Sequence, residues 1–359
     1  MSADPGAWLR PEIAALSPYQ VADAAGLIKL DAMENPHPFP AELVEAWLET
    51  LRTVPLNRYP SADAPDLKSA LRATMGVPAD CGILLGNGSD EILQMLMLAL
   101  ARPGASVLTP EPGFAMFRLI SRAVGLTYRS VPLAPDFDLD VPAMLKAIQT
   151  HQPALLLIAQ PNNPTGNAFD RAGLEAIVDA APGLVVVDEA YYPFADDHCL
   201  EWLGRYDNLL VMRTLSKLGL AGLRLGWLMG PPRWLDALEP LRLPYNINGL
   251  TQASAAFALD HYAAFMRQAE AIRAARSQLA SALAALPGVT VYPSQANFLL
   301  THFAGRDANV LHATLKTRGI LVKNVSGAHP SLAGCLRLTV GTTAENRSLM
   351  TALSAILSD

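Results

Sequence analysis

Several runs along this chain are apolar without alternation: residues 83–85, 154–159, 184–187 and 208–212, the last opening on Asn208. A strand that is apolar on both faces is covered on both faces, as in a parallel sheet flanked by helices. Residues 106–109 and 126–131 read as further strands. Between them the apolar spacing changes to that of helices. Residues 41–51 place Leu43, Trp47, Leu48 and Leu51 on one side, and residues 66–74 place Leu67, Ala70 and Leu71 inward. Residues 92–101 form a helix stopped by Pro103-Gly104, and 143–151 and 174–180 are helical. Strand and helix alternate from about 83 to 215, which predicts a mostly parallel sheet with helices on both faces.

The pattern changes after residue 230. Pro231, Pro232, Pro240, Pro244 and Gly249 interrupt the chain there, as at a domain boundary. Residues 251–286 are alanine-rich and helical, with a break near Asp260. They lack sustained heptads, so a helix linking two domains is expected rather than a coiled coil. Strands at 290–292, 297–301, 320–322 and 335–340 follow, with helices at 308–318 and 344–357, a small α+β arrangement. Residues 1–40 are proline-rich and aperiodic and read as an arm. The expected organisation is an arm (1–40), a large α/β domain (41–245) and a small α+β domain (246–359).

Composition narrows the function classes. A chain of 359 residues exceeds the size at which one core keeps growing, and 51% hydrophobic against 17% charged residues supports large cores. The net charge of −6 is interspersed, with no basic stripe for nucleic acid. Cys81, Cys199 and Cys335 fit neither a metal spacing nor a disulfide framework, and the seven histidines form no His-x-x-x-His pair, so no metal is expected. The longest apolar run, 92–101, contains Gln94 and is too short for a bilayer. No basic-then-apolar stretch opens the chain. A cytoplasmic enzyme acting on small molecules is the expectation.

Candidate chemistry gathers where the apolar strands end. Lys217 follows the strand at 208–212, in a segment whose other reactive or anion-binding side chains are Thr214, Ser216 and Arg224. Open α/β sheets place their ligands at the carboxyl ends of strands. A desolvated lysine there becomes a nucleophile toward a carbonyl. Taken alone, the stretch reads more simply as a surface loop with one solvated lysine. Asp188 ends another apolar strand and needs a cationic or N–H partner. Asn163 sits in Gln160-Pro161-Asn162-Asn163-Pro164-Thr165-Gly166, a loop stiffened by two prolines. The run Gly86-Asn87-Gly88-Ser89-Asp90-Glu91 joins a strand to a helix, a geometry that binds phosphate and equally describes an ordinary capped helix. Asp90 belongs to that candidate site, but it and Glu91 would repel a phosphate, so their side chains are expected to point away.

An amine, a carboxylate and an amide converging on one sheet edge suit an aromatic aldehyde cofactor, pyridoxal phosphate. Lys217 would condense with the aldehyde, and Asp188 would keep the ring nitrogen protonated. Asn163 and Tyr191 would meet the ring oxygen. Gly88, Ser89, Thr214, Ser216 and Arg224 would hold the phosphate. Phe114 could cover the ring, although a lone aromatic more often packs in a core.

These residues carry a family resemblance. Pro161 to Gly166, Asp188-Glu189-Ala190-Tyr191, and Thr214-Leu215-Ser216-Lys217 with Arg224 resemble, in order and spacing, the fold-type I pyridoxal-phosphate-dependent aminotransferases. Pro18-Tyr19-Gln20, Glu34-Asn35-Pro36, Arg58-Tyr59-Pro60, Gly86 to Glu91 and Gly334 to Gly341 are similar to the histidinol-phosphate branch of that family. The resemblance implies a homodimer, with Tyr59 reaching the neighbouring subunit's cofactor phosphate and an arm carrying Tyr19 over the substrate. It implies that Arg337 holds the substrate anion, with Asn35 and Lys323 on the substrate side. The implied reaction moves an amino group between L-histidinol phosphate and 2-oxoglutarate, as in histidine biosynthesis. Two departures stand out: Lys323 where many relatives carry arginine, a point charge in place of a fork, and Phe114 where relatives often carry tyrosine. An aromatic or other amino-acid aminotransferase, or a phospho-amino-acid decarboxylase, would keep the same core motifs. A regulatory module and a nicotinamide-dependent dehydrogenase fit less well, because no DNA-binding segment precedes the fold and the glycine fingerprint is missing.

Overall fold

A computed structural model describes residues 4–18 and 21–358. In chain order the elements begin with α1 (Pro11–Ala14), β1 (Ile28–Leu30), α2 (Val44–Arg52) and α3 (Pro65–Met75). There follow β2 (Gly82–Gly86), α4 (Ser89–Leu100), β3 (Ser106–Glu111), α5 (Ala115–Val124), β4 (Thr127–Pro132), α6 (Val141–His151), β5 (Leu155–Ala159), α7 (Arg171–Ala180), β6 (Leu184–Asp188) and β7 (Leu209–Thr214). The chain continues through β8 (Gly226–Gly230), α8 (Pro232–Leu238), α9 (Gly249–Asp260) and α10 (Tyr262–Ala284). It ends with β9 (Val289–Val291), β10 (Phe298–Phe303), α11 (Ala308–Thr317), β11 (Ile320–Asn324), β12 (Cys335–Thr339) and α12 (Thr343–Ser358).

The larger sheet has seven strands in the order β2-β8-β7-β6-β5-β3-β4. Its neighbours are parallel from β7 to β4, and β8 runs antiparallel to both β2 and β7. The expected mostly parallel sheet is therefore present, with one reversed strand. The unalternating sequence follows from burial on both faces. In β6, Val185 and Val187 enter the core on one side, while Leu184 and Val186 enter the core on the other. Sequence periodicity missed β8, a five-residue run bracketed by glycines, and α5, which turns Phe117, Ile120 and Ser121 inward.

The smaller sheet has the order β1-β11-β12-β10-β9 and its own core. β1 joins it in parallel with β11, and Leu30 is buried in that core. Three residues of the stretch expected to be arm, Ile28–Leu30, thus form a strand. The long helical stretch breaks at His261, between α9 and α10. α10 bridges the two cores: Phe265, Ala269 and Ile272 pack with the large sheet, and Leu279 and Leu283 with the small one. We propose that the two sheets mark two domains, with β1 assigned to the second.

β7 runs past the polar residues expected to close it. Arg213 is buried, and its Nε and Nη2 lie 2.8 and 2.7 Å from Glu189 Oε2. Its guanidinium also stacks 4.6 Å from the Tyr192 ring centroid. Glu189 Oε1 in turn accepts from the Cys199 N–H. Arg213→Met leaves a buried carboxylate without its cation, and the expected loss is about 3–5 kcal/mol in urea unfolding. Pairing Arg213→Met with Glu189→Gln, which keeps an acceptor for Cys199, should recover much of that loss. An equal loss in both variants would mean that the charge pair is not the cause.

Candidate active site

The carboxyl ends of β5, β6 and β7 open onto one cavity of about 240 Å3. Asn163, Asp188 and Lys217 all line it, so the three strand-end groups do converge. Tyr191, Ser89, Asp90, Phe114, Thr214, Ser216 and Arg224 line it as well. Two helical features shape its floor and one end. The first is a π-helical turn, Ser216–Leu220, which carries Lys217. Gly219 in that turn has φ 121°, and a Cβ there would stand 2.8 Å from the Asn35 amide nitrogen, so only glycine fits. Gly222, two residues past that turn, has open space around it.

The second is the N-terminus of α4. Gly88 stands at its cap with φ 86°, and no side chain caps the first turn. A Cβ on Gly88 would meet Arg224 Nη2 at 2.6 Å. A Cβ on Gly226 of β8 would meet the Ser89 nitrogen at 2.6 Å. The glycines thus let a guanidinium and a strand press against a helix start whose N–H groups point outward. Thr214 Oγ1 donates to the Leu225 carbonyl at 2.8 Å, lies 2.9 Å from Ser216 Oγ, and accepts from the Ser216 N–H. Hydroxyls, a guanidinium and a helix dipole around one end of a cavity form an anion cradle.

Burial sets the proton affinities. Burial pushes the Asp188 carboxyl up to about 7; the Ala190 N–H, donating at 3.0 Å, and the Lys217 charge pull the other way. That N–H supplies the partner expected for this carboxylate. Lys217 keeps contact with the cavity but lies deep in the protein. Burial, and then the charge of Arg337, bring its amine down to about 8. Its Nζ donates to the Ala32 carbonyl at 3.4 Å and lies 5.8 Å from the Tyr191 ring centroid.

Asp90 departs from expectation. It lines the cavity, burial raises its pKa, and Arg224 and Lys217 oppose that rise. Its Oδ1 is buried and has no hydrogen-bond partner. The two nearby cations offset the repulsion on which the expectation rested. Glu91 does turn aside, accepting from the Asn87 N–H and the Asn246 amide.

The proposed substrate side is less uniform. Arg337 is buried on β12; its Nη1 donates to Asn163 Oδ1 at 2.6 Å and its Nη2 to the Asp31 carbonyl at 2.8 Å. Asn163 donates in turn to the Tyr191 hydroxyl at 3.0 Å. Lys323 pairs with Arg337 across the β11–β12 ladder. Asn35 is not a lining residue. Its amide nitrogen donates to the Leu218 carbonyl and to Gln268, and its oxygen accepts from the His37 N–H. Tyr59 is 81% exposed and stacks on Tyr245 at 4.5 Å, away from this cavity. Tyr19 lies outside the described residues. Sequence reasoning missed Glu34, which lines the mouth; a polar residue in a proline-rich segment gives no periodic signal.

The donor set fits pyridoxal phosphate: a buried carboxyl with a raised proton affinity, an amine with a lowered one, and an anion cradle share one cavity. Residues 25–353 match the family Aminotransferase class I and II. The chain is 55% identical to Histidinol-phosphate aminotransferase 2 of Nitrosococcus oceani, over 97% of each chain. It is 53% identical to the Histidinol-phosphate aminotransferase of Chromobacterium violaceum, over 96% of each. Among solved structures, the histidinol-phosphate aminotransferase of Sinorhizobium meliloti in complex with pyridoxal-5'-phosphate superimposes with a TM-score of 0.86 at 26% identity, covering 98% of this chain and 97% of that one.

The Asp188 carboxyl makes a pH-dependent prediction for the cofactor-free protein. Its folded pKa, about 7, exceeds the ordinary 3.8, so the unfolded chain releases this proton first as pH rises. The group therefore costs stability progressively from about pH 4 to 7, reaching on the order of 4 kcal/mol. Asp188→Asn should stabilise the cofactor-free protein, with a gain in urea unfolding that is larger at pH 8 than at pH 5. A gain independent of pH would contradict the buried-carboxyl assignment.

Proposed function

The chain belongs to the class I and II aminotransferases, and from that membership we propose that it transfers the amino group of L-histidinol phosphate to 2-oxoglutarate, giving imidazole-acetol phosphate and glutamate. Identity above 50% to two histidinol-phosphate aminotransferases over nearly their whole lengths carries the choice of substrate. The shared cavity of Lys217, Asp188, Asn163 and Arg224 carries the choice of chemistry.

Pyridoxal phosphate supplies an aldehyde for the substrate amine and a cationic ring that accepts the electron pair released when the substrate C–H bond breaks. The protein does the rest. Gly88, Ser89, Thr214, Ser216 and Arg224 hold the phosphate at the start of α4. Phe114 covers one face of the ring. Asp188 holds the proton on the ring nitrogen; its own affinity, raised by burial, is relieved once a cation stands beside it. Asn163 and Tyr191, already hydrogen-bonded to each other, would hold the ring oxygen. Asp90 faces the cofactor from the helix start. Lys217, with an amine near pKa 8, exists partly as the free base near neutral pH. It would take the proton from the substrate carbon as general base and return it as general acid. Arg337 receives the substrate anion, carboxylate or phosphate, in its planar fork. Lys323 adds a point charge beside it. Asn35 acts as a positioning residue, because its amide anchors the turn that carries Lys217.

A second copy of the chain completes the reading. Leu56, Tyr59, Leu243, Tyr245 and Leu250 are exposed, and an apolar exposed set suits a homodimer contact through which Tyr59 reaches the partner's cofactor phosphate. Tyr19 then covers the substrate. No described helix is long and apolar enough to cross a membrane, and Cys81, Cys199 and Cys335 are free and buried. Unpaired thiols suit the reducing cytoplasm, the compartment we assign.

Lys217→Ala should lower transamination about 10,000-fold or more, and should remove the near-visible absorbance that borohydride bleaches in the wild-type holoenzyme. Asp188→Asn should cost about 100- to 1,000-fold with the cofactor still partly retained. Near-normal rates in either variant would remove that residue from the mechanism. Wild-type kcat/KM for histidinol phosphate should exceed that for phenylalanine or aspartate with 2-oxoglutarate, and carbon dioxide should not be released. A preference for an aromatic amino acid would replace the substrate assignment and leave the chemistry standing.

A further inference from the structure

The cavity carries an acidic side chain at its mouth that the reaction above leaves without a task. Glu34 lines the cavity together with Lys217 and Asp188, and 49% of its side chain is exposed. Its backbone is held firmly on both sides. Met33, at φ 54°, donates its N–H to Thr339 Oγ1 at 3.1 Å and accepts from the Asn297 amide at 2.9 Å. Asn35 is tied to the Leu218 carbonyl and to Gln268, each at 3.0 Å. The carboxylate itself pairs with Lys29 at 2.5 Å. Residues 31–35 thus form a fixed strap across the site, and Glu34 is the acid that the strap presents.

The same strap touches the anion-binding arginine. Arg337 Nη2 donates to the Asp31 carbonyl, three residues before Glu34. Three residues of chain reach at most about 10 Å, so an anion on Arg337 and a group near Glu34 lie within reach of one small molecule. The two substrates proposed above differ in what they would bring there. Each offers Arg337 one anionic end. Beyond the reacting carbon, histidinol phosphate carries an imidazole, and 2-oxoglutarate carries a second carboxylate.

We propose that Glu34 determines specificity in the amino-donor half-reaction: its carboxylate receives an imidazole N–H of the donor and repels the distal carboxylate of the dicarboxylic partner. The inference rests on the substrate reading above. Specificity of this kind combines an attraction with a repulsion. Lys29 moderates both, because a paired carboxylate presents less net charge, and this keeps the dicarboxylate tolerable in the other half-reaction.

The test uses the holoenzyme in separate half-reactions. Glu34→Gln keeps the shape of the side chain and removes its charge. The expected result is a kcat/KM for histidinol phosphate about 5- to 10-fold lower, and a KM for 2-oxoglutarate about 2- to 5-fold lower, the range of a partly exposed charge-assisted contact. Lys29→Met, which strips the moderating cation, should shift both values in the opposite directions. A structural role for Glu34 would worsen both half-reactions together. That result, or no change in either, overturns the inference while leaving the substrate reading intact. A wild-type enzyme with no turnover of histidinol phosphate overturns both.

Discussion

Two ionisable groups of opposite sign share one buried cavity, and burial there weakens the charged form of each. Desolvation raises Asp188 and lowers Lys217, so the two proton affinities approach each other near neutral pH. The rest of the fold holds that arrangement in place. β6 and β7 end side by side in a sheet covered on both faces, so the residues just beyond them emerge into a pocket rather than into solvent. The Arg213–Glu189 pair lies directly behind: Glu189 is the neighbour of Asp188, and Arg213 sits four residues before Lys217. A neutralised pair there stiffens both strand ends without placing a net charge behind the cavity.

Much of this geometry was legible in the sequence because it rests on local patterns. Strands with both faces covered read as continuous apolar runs, so β5, β6 and β7 appeared with their ends nearly correct, and with them Asn163, Asp188 and Lys217. The break between α9 and α10 also showed, near Asp260. What escaped rests on tertiary partners. β7 continues through Arg213 because Glu189, 24 residues earlier, cancels its charge; on polarity alone the strand ended at Met212. β1 is three residues long and gains its identity only by pairing with β11, nearly 300 residues away. β8 is a short run between glycines, and Gly226 is there because the start of α4 presses against it.

The candidate site divides in the same way. Residues fixed by a strand end or a helix start could be inferred one at a time. Asp90 could not, because whether an acid at a helix start turns toward an anion site depends on the surrounding cations, here Arg224 and Lys217. Asn35 shared a motif with substrate-side residues, yet its amide is committed to the turn that bears Lys217 and to Gln268. A motif groups residues by sequence neighbourhood, whereas Met33 and Glu34 line the cavity and the Asn35 amide does not.

That strap links the two halves of the molecule. It runs from β1, in the small sheet, across the mouth of a cavity built on the large one. Two of its consecutive carbonyls accept from the two principal cations of the site, Asp31 from Arg337 and Ala32 from Lys217. Both acceptors are neutral, so these bonds orient the donors without cancelling their charge. Against the Asp31 carbonyl an incoming anion competes with a dipole, and ion–ion attraction exceeds ion–dipole attraction in a poorly solvated site. The same logic explains why both acids of the strap, Asp31 and Glu34, pair with Lys29 and not with Lys217. A carboxylate seated on either catalytic cation would hold it as an ion pair, raise the amine's pKa and block the substrate anion. Through these two carbonyls the strap orients Arg337 and Lys217 without itself neutralising either.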